Sequence, residues 1–146
     1  MLTIGIQIME IAQTNKKYNS DGDFIFSCQY HVIFCPKYRR KVLNEPIAIR
    51  LKELIKAKQE EYGYKVEDLE VLDDHVHMIL DVNPKLGGIY RIVSKIKGYT
   101  SHELRAEFPE LKSRLPTLWT NSRFISSVGT VSLDVVKKYI ENQKNK

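Results

Sequence analysis

The stretch that most constrains the fold is residues 64–81, which has the pattern of two β-strands separated by the acidic pair Asp73-Asp74. Its second half, residues 71–81, is mostly apolar and contains no glycine or proline, as is typical of strands. Alternate side chains of a strand share a face, so His75 and His77 are expected on one face, roughly 6.5–7 Å apart along the backbone. Two such imidazoles can converge on one metal ion, although a His-x-His pair in a strand is also common by chance.

The other elements follow from hydrophobic periodicity. Residues 24–35 are rich in β-branched and aromatic side chains and predict one long central strand. Residues 47–62 predict a helix closed by Gly63, residues 89–104 predict a second helix interrupted by Gly98, and residues 118–128 predict the last strand. This order lacks regular βαβ alternation, which favours an α+β fold. An antiparallel sheet flanked by helices in the ferredoxin-like, split βαβ plan fits it.

A helix is also predicted for residues 131–143, with Ser132 as a plausible N-cap. Tyr139 and Gln143 lie four residues apart on it and therefore share a face. The phenol and the amide oxygen would therefore contact the same neighbouring surface. Taken alone, Tyr139 also fits a packed or surface tyrosine, and Gln143 a solvated residue at a helix end.

Length and charge narrow the class of protein. At 146 residues the chain predicts one domain. The formal charge of +5 indicates an anionic partner, and the positive charge is segregated: residues 31–59 carry eight Lys or Arg against two Glu. Cys28 and Cys35 lie in one predicted strand, a poor disulfide geometry, and indicate reduced, buried thiols in a cytoplasmic protein. No run is long enough to span a membrane.

The ordered set of His75-Val76-His77, Tyr139 and Gln143 resembles the HUH-type single-tyrosine transposases of the insertion-sequence 200/605 family. Four other stretches match the same pattern, and the resemblance covers roughly residues 19–146. Residues 1–18 form an N-terminal extension, expected to be loose, to which no function is assigned. The matching stretches are residues 30–43, Lys97-Gly98, residues 115–121 and residues 124–129.

The resemblance implies a ferredoxin-like core and a homodimer whose two sheets join. It also implies that the tyrosine helix of one subunit serves the histidines of the other, so that the active sites are shared. The implied activity is that of a transposase on single-stranded DNA with hairpin ends, which excises an element and rejoins it at a target.

Residue chemistry agrees with that activity. Two imidazoles, from His75 and His77, and the amide oxygen of Gln143 suit Mg²⁺ or Mn²⁺ better than a structural zinc ion. Tyr139 is the predicted nucleophile, attacking a phosphodiester to give a 5′-phosphotyrosine linkage and a free 3′-OH. The linkage keeps the bond energy, so the reaction can be reversed onto another 3′-OH without ATP.

Basic and aromatic residues supply the candidate DNA surface. A loop after Pro36 places four positive charges and a tyrosine in five residues, which suits phosphate contacts and base stacking, although a solvated charge run is the usual explanation. His31, in the first predicted strand, is interpreted as a hydrogen-bonded core or surface histidine and not as a metal ligand. The DNA-binding candidates are Lys37, Tyr38, Arg39, Arg40, Lys41, Arg91, Lys95 and Arg114.

Two other functions remain open from the sequence. One is a domesticated nuclease that processes palindromic repeats by the same chemistry. The other is a non-catalytic single-stranded nucleic-acid-binding module on a ferredoxin-like sheet. Such a module would tolerate Phe at position 139 and would lose little binding on His77→Ala.

Overall fold

The computed structural model describes residues 19–22, 24–128 and 133–145. The predictions for residues 1–18 and for Ser132 as an N-cap therefore lie outside the described residues. The strands are β1 (Asn19–Asp21), β2 (Phe24–Phe26), β3 (Gln29–Phe34), β4 (Tyr64–Val71), β5 (Val76–Val82) and β6 (Phe124–Ser127). The helices are α1 (Ile47–Ala57), α2 (Gln59–Tyr62), α3 (Ile89–Glu107), α4 (Glu110–Arg114) and α5 (Leu133–Asn142). Two 3-10 turns cover Lys37–Arg39 and Gln143–Asn145.

The main sheet has four strands in the order β4-β5-β3-β6, and every neighbouring pair is antiparallel. The order follows from the chain path: β4 and β5 form a hairpin closed at Asp73-Asp74, where the Leu72 amide donates to the His75 carbonyl at 2.9 Å. Long connections through the helices then place β3 and β6 beside it. The predicted α+β fold with an antiparallel sheet flanked by helices is therefore confirmed.

One face of this sheet carries the hydrophobic core. Val32 and Phe34 of β3 and Met78 of β5 are buried there against apolar side chains of α1 and α3. Leu54 of α1 is among the fully buried side chains, and burying one leucine contributes about 1.5–3 kcal/mol. The helices lie on this face because their apolar stripes have no other surface large enough to cover them.

The opposite face carries the histidines. Ile33 pairs with His77 on one side and with Phe124 on the other, and directly opposed residues share a face. His31 lies two residues before Ile33 and points the same way. Ile33 is fully buried but is outside the main core, so this second face is also covered.

The sequence-based predictions at the start and end of the sheet need correction. The single strand predicted for residues 24–35 is two strands, β2 and β3, because the side chain of Asp81 accepts the amide of Cys28 at 2.9 Å and the chain bends there. Asn19–Asp21, for which no strand is predicted, pairs with β2 in a separate two-stranded sheet. The last strand is shorter than predicted, covering only β6.

The helices also differ in detail. The helix predicted for residues 47–62 is divided at Lys58, and Gly63 ends its second part with φ of 79°, as expected for a helix C-terminus. Gly98 does not interrupt α3, which runs continuously to Glu107. Among the described residues, no helix combines the length and the apolar character needed to cross a membrane.

Candidate active site on the histidine face

His75 immediately precedes β5 and is held by the side chain of Asp74. Its Nδ1 is 2.8 Å from Oδ1 of Asp74, and Oδ2 of the same carboxylate accepts the Nε–H of Arg39 at 2.7 Å. The three side chains are only 11–14% exposed. Burial alone would raise the pKa of Asp74, but the hydrogen bonds from His75 and Arg39 outweigh it and hold that pKa below its usual value. Because Nδ1 is engaged, Nε2 of His75 is the nitrogen left for a ligand.

His77 contacts a third histidine. Its Nε2 lies 3.3 Å from Nδ1 of His31 on the neighbouring strand β3. The ring planes are 23° apart and the ring centroids 5.6 Å apart, so the rings meet edge to edge with the two nitrogens between them. Burial, and then the proximity of His77, lower the pKa of His31. The contact is a hydrogen bond in which one ring donates and the other accepts.

Tyr139 projects from α5 toward the edge strand β6. Its ring centroid lies 5.2 Å from that of Phe124. The hydroxyl is buried and, among the described residues, has no hydrogen bond of normal geometry. Burial raises the pKa of Tyr139 to about 12, although the Ser122 hydroxyl nearby acts in the opposite direction. The resting side chain is thus a protonated phenol.

Gln143, one turn after Tyr139, is 1% exposed. Its Oε1 accepts a hydrogen bond from the Ser122 hydroxyl at 2.5 Å, and its Nε2 donates to the Tyr139 carbonyl at 3.3 Å. The segment that carries Ser122 is held by Lys97 of α3, whose Nζ donates to the carbonyls of Thr120 at 2.6 Å and Ser122 at 3.3 Å. The amide of Gln143 is therefore fixed in orientation by a network reaching into the core.

The sheet register relates the two halves of the site. Neighbouring strands lie about 4.8 Å apart, so the backbones at His77 and Phe124, with Ile33 between them, are separated by roughly 10 Å. Tyr139 packs against Phe124 at this edge. The structure thus places the tyrosine helix beside the sheet face that bears the histidines, within the same chain.

The donor types present fit a hard divalent ion with nitrogen and oxygen ligands. In the described part of the chain, no three side chains of His, Cys, Asp or Glu form a metal site by themselves. The predicted set includes the amide of Gln143, which is none of these residue types. His75 offers a free Nε2 and Gln143 a buried amide oxygen, so the assignment of His75, His77 and Gln143 stays a prediction.

The DNA-binding candidates divide by exposure. Tyr38 is 45% exposed, with the Lys37 ammonium 5.2 Å from its ring centroid. Arg39 differs from the rest because its guanidinium turns inward to Asp74. These DNA contacts stay predictions. The other exposed members are Arg40, Lys41, Arg91, Lys95 and Arg114.

Four residues of the site were missed or placed elsewhere from the sequence. The sequence places Asp74 only in the acidic pair between two strands, and His31 is interpreted there as an ordinary histidine. Ser122 carries no signal in the sequence, and Lys97 appears only in a matching stretch, yet this lysine is only 7% exposed. Its place on the buried stripe, between Ile96 and Thr100, was the signal available. The two cysteines are unbonded, as predicted, although Cys28 is only partly buried.

Comparisons with known proteins identify the family of this chain. The family described as "Transposase IS200 like" matches residues 24–143. The ISDra2 transposase TnpA of Deinococcus radiodurans is 33% identical over 125 residues, covering 84% of this chain and 89% of that protein. The transposase of insertion sequence IS200 from Salmonella typhimurium is 27% identical over 124 residues, covering 82% and 81%.

Solved structures share the fold. A crystal structure of a protein assigned as a transposase from Deinococcus radiodurans superposes with a TM-score of 0.78 at 29% identity, covering 88% of this chain and 99% of that one. A REP-associated tyrosine transposase bound to a REP hairpin gives a TM-score of 0.54 at 12% identity, covering 84% and 68%. The chain belongs to the IS200-like transposase family. It is therefore a DNA-binding recombination enzyme.

Proposed function

We propose that this transposase cleaves and rejoins single-stranded DNA at insertion-sequence ends through a covalent bond between Tyr139 and a 5′-phosphate. The observation that carries the proposal is the packing of Tyr139 against Phe124, on the same sheet face as His77. That packing brings the only catalytic tyrosine candidate of α5 to the edge of the histidine face. Gln143 follows it one turn later in a fixed orientation.

We assign His75, His77 and Gln143 to a divalent cation, Mg²⁺ or Mn²⁺. The hydrogen bond between Asp74 and Nδ1 of His75 leaves Nε2 available, and the Ser122 hydroxyl leaves a second lone pair on Oε1 of Gln143. When bound, such an ion supplies Lewis-acid polarisation of a phosphodiester and neutralises its charge. The protein's part is to hold the two imidazoles and the amide in place.

The reaction of Tyr139 is a displacement at phosphorus. Its oxygen forms a bond to the phosphorus while the bond from phosphorus to the 3′ oxygen breaks, and the leaving oxygen takes a proton to become a 3′-OH. The phenolic proton must leave in the forward step, and burial raises the pKa of Tyr139 to about 12, so free phenolate is scarce at neutral pH. Proton loss therefore accompanies attack. In the reverse direction a different 3′-OH attacks the phosphotyrosine and the strand is joined to a new end.

The proposed substrate is single-stranded DNA with hairpin ends. The exposed basic side chains around Tyr38 suit a phosphate backbone, and Tyr38 itself is exposed enough to stack on an unpaired base. One structure with the same fold is bound to a DNA repeat hairpin, which is consistent with a hairpin substrate here.

We also propose a homodimer in which the two sheets join and each Tyr139 serves the histidines of its partner. Because Tyr139 packs beside its own histidine face in this chain, sharing requires α5 to move from that position to the partner's sheet. A shared site can be tested by mixing two inactive variants. A Tyr139→Phe subunit keeps its histidines and a His77→Ala subunit keeps its tyrosine, so a mixed dimer would contain one complete shared site. Activity recovered on mixing supports sharing, whereas two variants that stay inactive although they form mixed dimers contradict it.

The central experiment uses labelled single-stranded oligonucleotides covering the DNA that flanks the gene, incubated with protein and Mg²⁺ or Mn²⁺. Denaturing gels then reveal any covalent protein–DNA adduct. An adduct that needs the metal, single strands and Tyr139 supports the proposal, and its position gives the cleaved bond. The matched controls are the same strands annealed as a duplex, Tyr139→Phe, and wild type with a chelator.

The alternative functions predict different results. A non-catalytic binding module gives binding but no adduct with wild type or Tyr139→Phe, even with intact hairpin ends. A domesticated nuclease gives an adduct and cleavage but does not join the cleaved strand to a second oligonucleotide.

A further inference from the structure

The loop of Lys37–Arg39 has an unusual backbone. Tyr38 and Arg39 are consecutive non-glycine residues with φ of 59° and 51°, a left-handed conformation that such residues rarely adopt. Backbone hydrogen bonds fix the loop on both sides: the Lys37 amide donates to the Leu118 carbonyl at 2.8 Å, and the Arg39 amide to the Pro36 carbonyl at 2.8 Å. Strained backbone of this kind persists where the surroundings impose it, often at functional sites.

The left-handed turn divides the loop into two sides. Tyr38, Arg40 and Lys41 are exposed to solvent, whereas the side chain of Arg39 is 14% exposed. Its Nε–H donates to Asp74 at 2.7 Å, and its Nη1 is buried without a hydrogen-bond partner among the described residues. Three neighbours of Arg39 are thus available to DNA, while Arg39 itself faces into the protein.

Asp74 connects Arg39 to His75. One carboxylate oxygen accepts from Arg39 and the other contacts Nδ1 of His75 at 2.8 Å, so both oxygens are used. A carboxylate that bonds Nδ1 fixes the tautomer and the ring orientation of a histidine whose Nε2 holds a metal. The carboxylate is itself free to rotate unless its second oxygen is held, and Arg39 holds it.

We infer that Arg39 is a positioning residue for the metal site and not a DNA contact: through Asp74 it fixes His75 with Nε2 toward the ion. This inference rests on the proposed metal-dependent function. It separates Arg39 from the other basic residues of its loop, for which phosphate contact remains the prediction.

The test compares two affinities in the purified full-length protein. Calorimetry with Mn²⁺ alone gives the metal affinity, and fluorescence anisotropy with a labelled single-stranded oligonucleotide in EDTA gives the DNA affinity. We expect Arg39→Gln and Asp74→Asn each to weaken Mn²⁺ binding by about 10- to 100-fold. DNA affinity in EDTA should stay within about twofold of wild type, because no phosphate contact is lost. Combining the two substitutions should add little, because both remove the same support.

Two other variants serve as matched controls for Arg39→Gln. Arg40→Gln, on the exposed side of the loop, should weaken DNA binding and leave Mn²⁺ affinity unchanged. Arg50→Gln, which breaks an exposed ion pair with Glu107, should change neither. If Arg39→Gln is poorly folded by thermal melting, Arg39→Lys is measured instead. It keeps the positive charge but loses the guanidinium geometry, so Mn²⁺ affinity should still fall by several-fold.

The opposite pattern overturns the inference. Arg39→Gln with wild-type Mn²⁺ affinity and weakened DNA binding would make Arg39 a DNA contact after all. Failure of the proposed function can be told apart from failure of the positioning role. If the proposed function is wrong, wild type itself binds no Mn²⁺ and forms no adduct, and the inference about Arg39 then has no basis. Wild type that binds Mn²⁺ while the Arg39 variant and Asp74→Asn both leave that affinity unchanged overturns the positioning role alone.

Discussion

Nδ1 of His31 lies 3.3 Å from Nε2 of His77, on adjacent antiparallel strands. The ring centroids are 5.6 Å apart, longer than the separation of the two nitrogens by about the width of one ring, which is the arrangement of a hydrogen bond in the ring planes and not of face-to-face stacking. The hydrogen bond from His31 engages Nε2 of His77 and leaves its Nδ1 for a ligand, whereas Asp74 engages Nδ1 of His75 and leaves its Nε2.

Replacing His31 by alanine should therefore weaken metal binding. Without its partner the His77 ring is free to rotate, and the loss of such a support typically costs about 10- to 100-fold in metal affinity. Adduct formation at limiting Mn²⁺ should fall accordingly and recover at high Mn²⁺, and His31→Gln, which can still hydrogen-bond, should fall less. Tighter Mn²⁺ binding by His31→Ala would instead show that His31 competes with the ion for Nε2 of His77.

Tyr139→Phe should abolish the adduct without destabilising the protein. The Tyr139 hydroxyl is buried and, within the described ranges, makes no hydrogen bond of normal geometry, so its removal ends an uncompensated burial of a polar group. The free energy of unfolding in urea should stay within about 1 kcal/mol of wild type or rise. A loss of more than about 2 kcal/mol would show that the hydroxyl has a stabilising partner.

Local sequence patterns were sufficient for most of the elements but not for every boundary or for the contacts between them. The hairpin around Asp73-Asp74 and the helix carrying Tyr139 follow from periodicity and turn residues close in sequence. The break between β2 and β3 could not be predicted, because it depends on Asp81 accepting the amide of Cys28 from 53 residues away. Contacts of this range are made by tertiary packing and leave no local signal.

The residues that orient the site residues likewise leave no local signal in the sequence. His75, Tyr139 and Gln143 stood out because the ordered set that they form with His77 resembles a known family, whereas Ser122 could be located only by its hydrogen bond to Gln143. Arg39 looked identical to its basic neighbours, and only the left-handed backbone at Tyr38 and Arg39 turns it inward. The sequence therefore supports predictions of the chemistry-bearing residues, but not of the residues that orient them.

Ser122→Ala should impair the reaction through Gln143. The hydroxyl is the only donor to Oε1 of Gln143 among the described contacts, so the amide would be free to flip and present its nitrogen in place of its oxygen. Mn²⁺ affinity and adduct formation should each fall about 10-fold or more. Ser122→Thr keeps a hydroxyl and should retain most of both. Equal, wild-type Mn²⁺ affinities for the alanine and threonine variants would contradict a role in orienting Gln143.

Lys97 should make stability increase with pH. Burial, and then the nearby charge of Arg123, lower its pKa to about 8. Below that pH, Lys97 is protonated in both the folded and the unfolded chain, so it lowers the free energy of unfolding by an amount that does not change with pH. Between about pH 8 and the ordinary lysine value near 10.4, the unfolded chain keeps the proton and the folded chain does not, so the free energy of unfolding rises with pH in this window. The full effect is at most about 3 kcal/mol.

Lys97→Met isolates this effect. Urea unfolding at about pH 7.5 and about pH 9.5 should show wild type gaining free energy of unfolding relative to the methionine variant as pH rises, while other titrating groups contribute equally to both proteins. The variant also loses the bonds from Nζ to the carbonyls of Thr120 and Ser122, so its absolute stability is not the criterion. Parallel pH dependences in the two proteins would mean that Lys97 keeps an ordinary pKa, and that its ammonium is fully compensated by those carbonyls.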